Sequence, residues 1–337
     1  MFDPKVLQSL LDQYRPALRK LARLEHILNQ RFLGCEQAVH ALALAVASGE
    51  PLLLVGPPGT GKSRLIRALC GLTGLLDESH LERDNDAYFE YLLTPFTEPG
   101  ELFGFYDIPR AMRGELVRME EGMMQKARVV YLDEVFNASS AILNTILTFM
   151  NERVFHDRGS RKSVNLECLF AATNILPEAP ELKAIFDRFV LRCHIENVPS
   201  QSDWVGNLIE KGWVETYSKH AKDTHLDRIF EDFAHFRSRI KSLTSEGVLV
   251  PNGNHPITKR LTQMIAHTRQ YDLSEMSNRR LVKMMYVMLV DCLFQAAKKS
   301  EPATVAFTET QLQLLPRFFL DRMDEETSLK LERAVQT

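Results

Sequence analysis

The segment Gly56-Pro57-Pro58-Gly59-Thr60-Gly61-Lys62-Ser63 carries the spacing G-x-x-x-x-G-K-[ST]. Glycines at these points let backbone N–H groups wrap phosphate oxygens, and a helix starting directly afterwards adds its positive dipole end. Lys62 would then reach the β- and γ-phosphates of a nucleoside triphosphate. Ser63 would ligate Mg²⁺, and Arg64 follows as a further nucleotide contact. The apolar run Pro51–Val55 before the loop reads as a strand, and the pattern from Gly61 to Leu72 after it reads as a helix. That context separates a working phosphate loop from a chance match.

A second segment, Val129-Val-Tyr-Leu-Asp133-Glu134, is an apolar strand ending in two carboxylates. Asp133 suits a Mg²⁺ ligand acting through water, and Glu134 suits the group that polarises an attacking water. Such a strand end is often only solvated; its place downstream of a phosphate loop gives it the chemical reading. Ala171-Ala-Thr-Asn174 closes another strand. Parallel strands deliver their C-terminal ends to one crevice, so Asn174 is expected near Glu134, where it can orient the same water. The competing reading is an Asn that caps the next turn.

Arg188, in Phe186-Asp-Arg-Phe189, stands where a helix meets a strand. It is a candidate finger for the γ-phosphate of a neighbouring subunit, set against a local pair with Asp187 or a solvated rim charge. Ser277-Asn-Arg279-Arg280 opens an amphipathic helix. One of these arginines could reach the phosphates; both could instead be ordinary surface charges.

The elements that must position these groups alternate. Leucines at helical spacing fill residues 4–30, with a break expected near Pro16, and a helix follows over Glu36–Ser48. Tyr88–Leu93, Leu169–Thr173 and Phe189–Ile195 read as strands, and Ala138–Met150 as a helix. Pro99–Gly122 reads as loops with a small hairpin at Gly114, and Val154–Leu166 as a hairpin turning at Asp157-Arg-Gly-Ser160. The tip Arg158–Lys162 is basic; a solvated turn is preferred to a substrate contact. Beyond Pro199 the pattern is helical, with turn signals at Pro251–Asn254 and Pro302 and a capping box at Thr308–Gln311. The expected class is therefore α/β with a mostly parallel sheet, followed by an all-helical domain. The expected division is an extension over 1–30, a nucleotide-binding domain over 31–198 and a helical lid over 199–337.

Composition narrows the partners. The chain of 337 residues is 45% hydrophobic and 25% charged, with a net charge of −3. This lacks the basic excess of a protein built to grip nucleic acid. Cys35, Cys70, Cys168, Cys193 and Cys292 form no C-x-x-C pair and read as buried reduced thiols. The ten histidines show no metal spacing. No apolar N-terminal leader and no apolar stretch of spanning length are present in the sequence, so a cytoplasmic protein is expected.

Taken together, these segments resemble the AAA+ ATPases, and within them the MoxR family, especially its RavA-like branch. The resemblance runs from about Phe32 to Arg280. It is densest over Leu132–Arg153, and continues through Ala171–Asn174, Phe186–Arg192 and Pro99–Gly104. It implies a five-stranded parallel sheet between helices, a helical lid, ATP with Mg²⁺ as cofactors, and a homo-oligomer, usually a hexameric ring. It also implies that Arg188 acts in trans, that Asn174 is the first sensor and Arg279 the second, and that Leu33 and Gly34 pack on adenine. Cys35 departs from the polar residue many relatives carry after that glycine. An insert near Gly104–Gly122 and the hairpin at Val154–Leu166 would face the ring axis. The resemblance implies a chaperone-like remodeller of a protein client, with a von Willebrand factor A domain partner. The alternative is a nucleic-acid motor or a defence-system ATPase component.

Overall fold

The computed structural model describes residues 1–76, 87–157, 160–177, 179–218, 220–299 and 304–321. The elements in chain order begin with α1 (Pro4–Arg31), α2 (Glu36–Ser48), β1 (Leu52–Val55), α3 (Lys62–Leu72) and β2 (Tyr88–Leu92). Then come α4 (Pro99–Phe103), α5 (Ile108–Ala111), β3 (Val129–Asp133), α6 (Ser140–Glu152), β4 (Val154–Asp157), β5 (Ser160–Ser163) and β6 (Cys168–Thr173). The remainder is α7 (Pro180–Phe186), β7 (Leu191–His194), α8 (Ser202–Tyr217), α9 (Ile229–Ser245), α10 (Pro256–Gln270), α11 (Asn278–Lys298) and α12 (Leu314–Phe318).

The sheet has the strand order β2-β3-β6-β1-β7, and the pairs β1–β6, β3–β6 and β2–β3 are parallel. By contacts the chain separates into two compact units, one of Pro51–Phe189 with Ile195–Asp223, the other of Met1–Glu50, Val190–His194 and Thr224–Thr337. We call the first the sheet unit and the second the helical unit.

In the sheet unit, Leu53, Val130, Leu132, Leu169 and Ala171 put apolar side chains into one core with Ile142, Ile146 and Phe149 of α6. β1 and β6 are buried along their whole lengths, the pattern of central strands in a parallel sheet covered on both faces. The segment from α4 to β3 holds the two short helices α4 and α5 and an isolated antiparallel bridge between Tyr106 and Arg118, with Gly114 at φ +83° in the turn between them. The predicted loops thus contain helical turns, while the hairpin at Gly114 survives as one bridge. Of the basic tip beyond β4, Arg158 and Gly159 lie outside the described residues, as does Pro302. The Thr308–Gln311 capping box is present and opens a short 3₁₀ turn.

The helical unit corrects one expectation. α1 runs unbroken through Pro16. Leu7, Leu10, Leu11, Leu18, Leu21, Leu24 and Leu28 are all buried on one face. Pro16 stands on the exposed face, where the carbonyl that loses its N–H partner can bond to water. Burial on both sides of the proline therefore outweighs one lost backbone hydrogen bond. The five cysteines are buried and none is in a disulfide, and among the described residues no helix is long and apolar enough to cross a membrane.

Candidate active site

Strand register builds the site. β1 and β6 pair with Val55 beside Thr173, and β3 and β6 pair with Leu132 beside Ala171. The residues after Val55, Leu132 and Thr173 consequently leave the sheet at one edge. The Gly56 N–H donates to Thr173 O at 3.1 Å, which locks the start of the loop to the end of β6. A Cβ at Gly56 would lie 2.1 Å from the Ile195 carbonyl oxygen, so only glycine fits this passage. Gly59 and Gly61 take φ values of +85° and +84°, the left-handed region glycine enters without steric cost. The backbone of Gly61 leads directly into α3, whose first residues are Lys62 and Ser63.

Lys62 is 7% exposed. Its ammonium spends three donors on Gly56 O at 2.7 Å, Pro57 O at 2.9 Å and Asn174 Oδ1 at 3.1 Å. The amide of Asn174 turns its other end to Glu134 Oε1. Asn174 therefore bridges the lysine to the carboxylate, and the polarity of its amide matches both neighbours. Burial lowers the Lys62 pKa below its usual value, opposed by the charges of Asp133 and Glu134. Ser63 Oγ donates to Asp133 Oδ2 at 3.2 Å and lies 3.1 Å from the Tyr131 hydroxyl. Burial of Tyr131 raises its pKa, so the hydroxyl stays neutral.

Glu134 sits at φ 52°, ψ 46°, ahead of a 3₁₀ turn over Val135–Asn137. For a residue with a Cβ this backbone costs about 1 kcal/mol, a strain typical of positions that aim a functional side chain. Beside Glu134 and Asn174 opens a cavity of about 600 Å³ walled by Leu92, Thr94, Phe136, Ile175 and Pro177.

Lys62, Ser63, Asp133, Glu134 and Asn174 are thus joined in one hydrogen-bonded constellation, with Pro57, Pro58 and Thr60 in the loop around it; Thr60 Oγ1 donates back to Pro57 O at 3.0 Å. Arg64 is held by Glu215 of α8, Nε to Oε1 at 2.9 Å. Arg188 lies 3.5 Å from Asp187, the local pair named as its alternative reading. Leu33, Gly34 and Arg279 belong to the helical unit, where Gly34 takes φ +72° and Arg279 is exposed. Its neighbour Arg280 is 1% exposed. Tyr131 was not anticipated. Its signal was strand alternation, which puts residue 131 on the same face as Asp133.

The residues fit Mg²⁺ and a triphosphate. A hydroxyl beside a carboxylate offers the hard oxygens that Mg²⁺ takes. A Cβ at Gly59 or Gly61 would meet nothing within 4 Å, so the loop is open where an anion would lie.

Comparison with known proteins agrees with this geometry. The profile of the family described as the MoxR domain in the MoxR-vWA-beta-propeller ternary systems matches residues 19–235. The chain belongs to the MoxR family of AAA+ ATPases. Two uncharacterized proteins of Methanocaldococcus jannaschii are each 36% identical, over 184 and 181 residues, or 54% and 53% of this chain. The matches cover 46% of each, so this chain spans under half the length of those curated relatives. A structural protein of Acidianus two-tailed virus is 27% identical over 60% of this chain and 32% of its own length. The crystal structure of a candidate ATPase from Cytophaga hutchinsonii shares the fold, with a TM-score of 0.63 at 15% identity over 98% of this chain and 97% of that one.

Proposed function

We propose that this protein hydrolyses Mg·ATP as a subunit of a ring, and that the ring remodels a protein client. The observation that carries the chemistry is the continuous link Lys62–Asn174–Glu134 beside the Ser63–Asp133 pair. Lys62 exchanges neutral carbonyl acceptors for the anionic oxygens of the β- and γ-phosphates, a stronger pairing. Ser63 and Asp133 hold Mg²⁺, which neutralises charge on those oxygens. Glu134, aimed by its backbone and held by Asn174, accepts the proton of the attacking water. Arg188 leaves Asp187 to stabilise the transferring phosphoryl group of the adjacent subunit. Leu33 and Gly34 face the adenine, and Arg279 reports the phosphates to the lid over 199–337.

The biological reading rests on the family. Its profile is named for systems that combine a MoxR domain with vWA and β-propeller partners. A von Willebrand factor A domain protein is accordingly the expected partner, a hexamer the expected assembly, the cytoplasm the expected location, and a protein client undergoing enzyme maturation or cofactor or metal insertion the expected substrate.

The test is phosphate release from ATP by the wild type, Glu134→Gln, Arg188→Ala and an equimolar mixture of the two variants. Glu134→Gln is expected to lose on the order of 10²–10⁴ in turnover, the scale of general-base catalysis, while still binding ATP. Specific activity should rise with protein concentration, and the mixture should recover part of what each variant lacks. Normal turnover by Arg188→Ala at every concentration would remove the shared site and leave a hydrolase complete within one chain.

A further inference from the structure

The burial of α8 is inverted with respect to its composition. Of its sixteen residues, Glu215 is the one that is buried, at 6% exposure. Trp204, Ile209, Trp213 and Tyr217 are exposed, Trp213 to 65%. A helix held by its apolar residues shows the reverse. The contact that fastens Glu215 is polar. Arg64, directly after Ser63, donates from Nε to Glu215 Oε1 at 2.9 Å and from Nη2 to the carbonyl oxygen of the same residue. His220 Nε2 lies 3.2 Å from Glu215 Oε2. The chain beyond α8 is tied to the other end of α3. The Asp223 N–H donates to Leu72 O at 3.1 Å, and a Cβ at Gly74 would lie 2.7 Å from Lys222 Cδ. α8 and residues 220–223 thus form a strap fastened at the first turn of α3 and again at its end, all within the sheet unit.

We propose that Glu215 is a positioning residue for the bound nucleotide: through Arg64 it holds the turn that carries Lys62 and Ser63, and through the same contact the loading of the phosphate loop reaches α8. This rests on the ATPase reading above and deepens it. Lys62, Ser63 and Arg64 are consecutive in the first turn of α3. The backbone that Glu215 restrains is therefore the backbone that would cradle the phosphates. The reverse direction follows from charge. A triphosphate in the loop brings several negative charges toward the guanidinium, which then faces two anions. A buried carboxylate is costly without its cation. A loosened Arg64 side chain must accordingly be met by a shift of Glu215, and with it of α8. Linkage makes the coupling reciprocal, so whatever fixes α8 tightens the nucleotide by the same factor. An amide at position 215 keeps the shape of the side chain and loses the charge that makes the pair strong.

Trp204 and Trp213 are the two tryptophans of the chain, and both stand on α8. The ring of Trp213 lies 4.5 Å from that of Tyr217, on the turn that contains Glu215. In the full chain carrying Trp204→Phe and Glu134→Gln, the emission of Trp213 reads α8 while ATP stays intact. Mg·ATP is titrated into this reference chain and into the same chain with Arg64→Ala, Glu215→Gln, both, or Glu215→Asp; calorimetry measures affinity separately. The reference chain should show an emission shift that saturates with binding. Arg64→Ala and Glu215→Gln should each abolish the shift and weaken Mg·ATP about tenfold, the scale of coupling between linked sites. Both together should be no worse than either alone, and Glu215→Asp should restore part of the shift and of the affinity. The double substitution leaves no buried charge unpaired at this contact, so it decides the matter if a single one does not fold. Unchanged affinity in Glu215→Gln, an emission shift that survives it, or additive losses would overturn the proposal. So would a silent tryptophan in a reference chain that binds Mg·ATP. A wild type and a reference chain that both fail to bind Mg·ATP would refute the ATPase reading, and this proposal with it.

Discussion

Ser63, the proposed Mg²⁺ ligand, is held by neighbours outside the phosphate loop. Its hydroxyl donates to Asp133 and lies beside the hydroxyl of Tyr131. Tyr131 is fully enclosed, so its hydroxyl has few other places to go. Tyr131→Phe removes this support and keeps the ring. The apparent Mg²⁺ requirement of hydrolysis should rise about tenfold, as for other groups that orient a metal ligand. A Mg²⁺ titration at fixed ATP checks it, and Ser63→Ala with Tyr131→Phe should be no worse than Ser63→Ala alone. Much of the site was legible for a physical reason. From Gly56 to Ser63 it is the backbone itself that would bind phosphate, so the required residues are contiguous. Asp133, Glu134 and Asn174 were readable because parallel strands end at one edge. Tyr131 was hidden inside an apolar strand that reads as core. The pairs that Asp321 makes with Arg280 and Arg192 in the helical unit were hidden because those partners lie 41 and 129 residues away in sequence.

Helices α1, α2 and α11 meet at a half-buried histidine. His40 Nδ1 lies 2.7 Å from Glu25 and Nε2 lies 3.1 Å from Asp291, so each ring nitrogen faces a carboxylate. Lys298 pairs with the other oxygen of Glu25, Gln295 donates to Asp291 at 2.9 Å, and the rings of Phe294 and Phe318 cover the imidazole. Burial alone would lower the His40 pKa, but the two carboxylates outweigh it and raise it above 6.5. Burial would raise Glu25, but His40 and Lys298 outweigh it and lower it below 4.5. A raised histidine stabilises fully below its unfolded value, and that contribution is lost as pH climbs through the folded value; a lowered carboxylate does the reverse on the acid side. The helical unit should therefore be most stable between pH 4.5 and 6.5 as far as these groups decide it, and weaken as pH rises above 6.5. Melting temperatures of the wild type should fall over that rise, and those of His40→Gln should not. A pH-independent difference between the two would refute this role for His40. None of this was visible as periodicity, which gave α2 its boundaries but not its neighbours. Periodicity also misjudged Pro16, because a proline's cost depends on which face it occupies, and that is a tertiary fact.

Each of the two units has its own buried core, and the residues named for the nucleotide site by the sequence are divided between them. Lys62, Ser63, Asp133, Glu134 and Asn174 come from the sheet unit; Leu33, Gly34 and Arg279 come from the helical unit. Separate cores make two calorimetric transitions the expectation for the protein without nucleotide. A ligand stabilises whatever part of the chain grips it, by about 2.7 kcal/mol at a hundred times its dissociation constant. Glu134→Gln is the form to measure, because it should bind Mg·ATP without consuming it. If both units hold the nucleotide, saturating Mg·ATP should raise both transitions and draw them together. Adding Arg279→Ala should then release the transition of the helical unit while leaving that of the sheet unit raised. A shift confined to the sheet unit would assign binding to the phosphate loop and strand ends alone. It would also remove Leu33, Gly34 and Arg279 from the site. The His40 substitution identifies which transition is which, since only the helical unit should respond to it as pH rises.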